Sequence, residues 1–272
     1  LHRPEVSIIV DEDTVLHIRS DWDVYYNTLP ALRNAARHSG TSVGFYYLGD
    51  FVEGLSPESD VYLFANLFYA DEDTRNSIRD RLAREEATAI WQFLPGYRGE
   101  NDEGPHLTEA LTGIAVERAD GRLGSSGAAE LEGIGFGWDW ENVVRPRLAV
   151  SDEQARTLGV FRSDGRVSAA VKHTGGFNSI VVTDWNLNAT ALNRLFALGG
   201  AHLWDEPGPV IFDGGEYVIK HAREVTAPPV APQGTRLEPV ANSHDLLPDT
   251  EGAPEPEFGE TVWYRKVPAG EE

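Results

Sequence analysis

The sequence holds 272 residues, with 44 acidic against 23 basic side chains and a formal net charge of −21. Cysteine is absent, which excludes disulfides, thiolate metal sites and cysteine nucleophiles. The acidic balance argues against a basic surface for nucleic acid, and no apolar run approaches the roughly 20 residues of a membrane helix.

The first half alternates strand and helix patterns. Val6 to Val10 is a short apolar run that ends in Asp11-Glu12-Asp13. Asp23 to Ser39 has helical spacing, with Leu29, Leu32, Ala35 and Ala36 on one side, and Pro30 offers a later start. Ser42 to Leu48 predicts a second strand closed by Gly49-Asp50, and Val61 to Ala65 a third closed by Asn66. Asp71 to Arg84 predicts a helix with acids in its first turn and arginines in its last, matching the helix dipole. Ala87 to Phe93 is a fourth strand before Pro95-Gly96, and His106 to Thr112 a short helix.

Arg118 to Val150 breaks this rhythm. It is glycine-rich and carries Phe136, Trp138 and Trp140. Leu158 to Arg162, Arg166 to His173 and Asn178 to Thr183 then predict a strand meander. Asn188 to Leu198 predicts a helix, with Asn188 as N-cap and Gly199 as its stop. Val210 to Phe212 and Tyr217 to Lys220 flank Asp213-Gly214-Gly215-Glu216, a hairpin signal.

Apolar strands alternating with amphipathic helices define an α/β fold: a flavodoxin-like open parallel sheet with helices on both faces. The hairpin and the meander are additions to it. We divide the chain into an α/β domain over residues 1–221 and an acidic, proline-rich tail over 222–272, with one or two short strands near Thr261-Val262-Trp263-Tyr264. The start at Leu1 and the absence of methionine lead us to expect a piece of a longer chain. No targeting signal is recognisable, and the compartment stays open.

The run from Val6 to His221 resembles the middle domain of family 42 glycoside hydrolases, the β-galactosidase trimerisation domain. The likeness is carried by Ser7-Ile8-Ile9-Val10-Asp11, by Asp60-Val61-Tyr62-Leu63-Phe64-Ala65-Asn66-Leu67-Phe68-Tyr69 and by Thr88-Ala89-Ile90-Trp91-Gln92-Phe93-Leu94-Pro95-Gly96-Tyr97. Leu111-Thr112-Gly113-Ile114, Ala197-Leu198-Gly199-Gly200-Ala201-His202-Leu203-Trp204 and Ile219-Lys220-His221-Ala222 follow in order. The resemblance implies a class I glutamine amidotransferase-like fold. It also implies an accessory domain that partners a catalytic (β/α)₈ barrel or sister subunits, with self-association as a corollary. A barrel does not fit beside this domain in 272 residues.

An amidotransferase of this fold needs a nucleophile at a strand-end elbow. Here Leu94-Pro95-Gly96-Tyr97 offers neither cysteine nor serine. Asp11, Asp50, Asn66 and Tyr97 each follow a strand, so they converge at the sheet edge where open α/β folds bind ligands. Carboxylate and amide groups hydrogen-bond sugar hydroxyls, and a tyrosine ring covers a sugar's apolar face. Turn closure after a strand explains the same residues without a ligand. Trp138 and Trp140, at period two, read as a sugar-stacking pair or as a hydrophobic plug under the glycine-rich loop. With so many acids, a glycosidase-like carboxylate pair can be drawn almost anywhere, so none is assigned. The scattered histidines lack zinc spacing, and no GxGxxG or phosphate loop occurs, so no metal or cofactor is expected.

Two functions compete: a non-catalytic accessory or oligomerisation domain of a β-galactosidase-like enzyme, and a free-standing carbohydrate-binding module using the sheet edge. Lysine occurs only at Lys172, Lys220 and Lys266. Acidic excess with scarce lysine fits life in high salt, where screening relieves self-repulsion. It fits equally an ordinary acidic protein of a high-GC organism.

Overall fold

The computed structural model describes residues 3–16, 22–137, 145–222, 227–242 and 259–269. In chain order, β1 (Val6–Val10) leads through a 3₁₀ turn (Asp13–Leu16) to α1 (Trp22–Thr28) and α2 (Pro30–Arg37). Then come β2 (Val43–Tyr47), α3 (Leu48–Val52), β3 (Val61–Phe64), α4 (Glu72–Arg84), β4 (Thr88–Gln92) and α5 (Pro105–Thr112). The inserted stretch gives β5 (Val116–Ala119), β6 (Ser125–Gly127), β7 (Gly135–Phe136) and β8 (Arg147–Val150). The meander is β9 (Arg156–Phe161), β10 (Val167–Thr174) and β11 (Phe177–Val182), followed by α6 (Ala189–Leu198). Last come β12 (Val210–Asp213), β13 (Tyr217–Ala222), β14 (Thr235–Asn242) and β15 (Glu260–Pro268).

The main sheet has nine strands in the order β2-β1-β3-β4-β11-β10-β9-β6-β7. Strands β2, β1, β3, β4 and β11 run parallel, and the flavodoxin-like order reverses between β1 and β3. The sequence reading treated the meander as an addition. Instead β11 lies beside β4 as the fifth parallel strand, and β10, β9, β6 and β7 extend the sheet antiparallel from it. Every residue of β3 and β4 is buried, as a strand covered on both faces requires.

One core packs Val6, Ile8, Leu63, Ile90, Ile180 and Val182 against α2 and α6. The other packs Ile9, Tyr62, Phe64, Trp91 and Val181 against α3, α4 and α5. The predicted helix from Asp23 to Ser39 is two helices, because Pro30 restarts it at the first position of α2. Asn188 caps α6 by accepting from the Ala191 amide at 2.9 Å. The left-handed residue after α6 is Gly200 (φ +97°); Gly199 keeps helical angles.

The hairpin β12–β13 joins the tail strands in a second sheet, β12-β13-β15-β14. Its inner side buries Trp204, Ile211 and Val218. All three lysines are sheltered in ion pairs: Lys172 with Asp152 at 2.8 Å, Lys220 with Asp205 at 2.5 Å and Lys266 with Asp213 at 2.6 Å. Their side chains are at most 23% exposed, so arginine supplies the fully exposed cations of the described surface. The insert is anchored by Arg147, whose buried guanidinium donates to the Arg122 carbonyl (3.0 Å) and the Asp120 carbonyl (2.8 Å) and pairs with Asp164.

Candidate functional site: the C-terminal edge of the parallel strands

The switch point between β1 and β3 is where an open α/β sheet offers a ligand crevice. Asp11 and Asn66 stand there, 8% and 5% exposed, and they bind each other. The Asp11 amide donates to Asn66 Oδ1 at 2.9 Å, and Asn66 Nδ2 donates back to the Asp11 carbonyl at 2.9 Å. The Thr14 hydroxyl lies 2.6 Å from both Asp11 Oδ2 and the Asn66 carbonyl, and the Asp13 amide donates to Asp11 Oδ1 at 3.1 Å. These are the turn-closing bonds that Asx side chains make after strands.

The other sequence candidates lie elsewhere in the fold. Asp50 lies within α3, half-buried, and its carbonyl accepts from the Leu55 and Ser56 amides. Tyr97 belongs to the core with Leu67, Ala70 and Leu111, under the Arg118 guanidinium 5.4 Å from its ring centroid. Burial raises its hydroxyl pKa. Trp138 and Trp140 lie outside the described residues.

Beside the switch point, the edge is filled by the protein itself. Phe68 follows β3, Phe93 follows β4 and Trp185 follows β11. They pack together with Leu123, Ala149 and Phe161. The Phe93 ring meets Phe68 edge-on at 5.7 Å and Trp185 at 5.3 Å. Phe93 takes φ +65°, a left-handed conformation that a bulky residue adopts only under tertiary constraint. The strained residue lies one position before the Leu94-Pro95-Gly96-Tyr97 segment that the sequence pointed to, and no helix follows it directly: β4 ends at Gln92 and α5 begins at Pro105. A buried phenyl ring occupies the position.

Three further polar groups gather on this edge, and the sequence reading missed them. Gln92, the last residue of β4, is fully buried, and neither of its amide atoms has a hydrogen-bond partner. The indole nitrogen of Trp185 is likewise buried and unpartnered. Asp184 is fully buried after β11 and accepts three bonds: from the Gly124 amide (2.8 Å), the Ser125 hydroxyl (2.6 Å) and the Trp185 amide (2.8 Å). Burial pushes its pKa up to about 6, against the pull of those donors and of Arg162. Gly137 presses on the same carboxylate: its φ is +71°, and a Cβ there would sit 2.4 Å from the Asp184 oxygens. A signal existed for Asp184, since it follows the apolar run Ile180-Val181-Val182 as Asp11 follows Ser7 to Val10.

Chemically, Asp184 ties the inserted β6–β7 hairpin to the sheet. Ser125 is buried and donates to it, so this hydroxyl is not presented to a substrate. Among the described residues, no group of three or more His, Asp or Glu side chains is placed to hold a metal ion. Nor is any helix there long and apolar enough to cross a membrane.

No protein-family model and no curated protein matches the chain. Solved structures do. The polyextremophilic β-galactosidase of the Antarctic haloarchaeon Halorubrum lacusprofundi superposes with a TM-score of 0.64 at 13% identity, over 95% of this chain and 39% of that one. The β-galactosidase of the psychrophilic Marinomonas ef1 gives 0.61 at 12% identity, over 96% of this chain and 38% of that one. At such identities the likeness establishes a shared fold. The chain spans less than two fifths of either enzyme.

Proposed function

We propose that this chain is a non-catalytic accessory domain of a β-galactosidase-like glycoside hydrolase, acting beside a catalytic barrel or sister subunits. The observation that carries the reading is the edge itself. Next to Leu94-Pro95-Gly96-Tyr97, the strand end that the sequence compared with a nucleophile site, the buried Phe93 packs against Phe68 and Trp185, with neither cysteine nor serine among those residues. The coverage of the two β-galactosidases supports the same reading, because this chain corresponds to a minor part of each. Within it, Asp11 and Asn66 close the switch point of the sheet, and Asp184 holds the insert against it.

The test is hydrolysis of a chromogenic β-galactoside by the purified chain alone. No turnover above a mock preparation is expected. Turnover that follows this chain at constant specific activity through purification would overturn the proposal.

A further inference from the structure

We draw no further inference here: the strongest candidate, the fully buried Gln92 side chain at the C-terminal end of β4, belongs to the sheet edge already described, and nothing in the structure shows what its amide would hold.

Discussion

Replacing Asp184 by asparagine separates the cost of a buried charge from the worth of its hydrogen bonds. The carboxyl pKa rises from 3.8 to about 6 in the folded protein because burial disfavours the ionised form. Each unit corresponds to about 1.4 kcal/mol, so ionisation of this one group costs the fold ~3 kcal/mol at neutral pH. The sign follows from proton uptake. Between pH 4 and 6, roughly, the folded state holds the proton and the unfolded chain does not. The group's stabilising contribution is therefore complete below the unfolded value of 3.8 and is lost as pH rises through about 6. Asparagine removes this dependence. Its oxygen can accept from Gly124 and Ser125, but its NH₂ then faces the Trp185 amide, at a cost of ~1 kcal/mol for one lost hydrogen bond. Urea denaturation from pH 4.5 to 8 at fixed salt should therefore give two curves that cross. Asp184→Asn should be the less stable protein near pH 4.5 and the more stable one, by ~1–2 kcal/mol, near pH 8. Asp71, whose bonds from Thr74 lower its pKa, contributes in a separate window below pH 4. Parallel wild-type and variant curves would refute the reasoning.

Other substitutions probe the same edge. Asn66→Ala removes both bonds to the Asp11 backbone and leaves its polar groups buried, so a loss of ~2–4 kcal/mol is expected in urea. Unchanged stability would show that water replaces the amide. Phe93→Gly relieves left-handed strain of ~1–3 kcal/mol but deletes a buried ring worth ~3–5 kcal/mol, so net destabilisation of ~2 kcal/mol is expected. A stabilised variant would mean that the ring contributes little to the plug. Charge self-repulsion at −21 predicts a melting temperature that rises from low to molar salt. A flat or falling trend in differential scanning fluorimetry would count against it.

The local grammar of the chain was legible in the sequence because it is self-contained. Fully buried strands read as apolar runs, Asp71 and Asn188 announce their helices by capping them, and Asp213-Gly214-Gly215-Glu216 turns its hairpin. What was not legible depends on partners distant in the chain. The pairing of β11 with β4 links segments about ninety residues apart, as Trp91 and Ser179 show by their 2.9 Å bond. Neither strand announces its neighbour. Because the meander was read as separate from the sheet, the rule that selected Asp11 and Asn66 was not extended to Asp184. The strain at Phe93 had no local signal, since phenylalanine does not favour φ +65°; Phe68, Trp185 and the β11 carbonyl of Val182 hold it there. Convergence at the edge was foreseen for Asp11 and Asn66, but that these two would bind each other was not.

The central claim, an accessory role beside a catalytic barrel, is tested most directly by sequencing the coding region that flanks Leu1. The account predicts a (β/α)₈ barrel with two strand-end carboxylates, in frame or in an adjacent gene. A start codon immediately before Leu1, with no barrel encoded nearby, would contradict it.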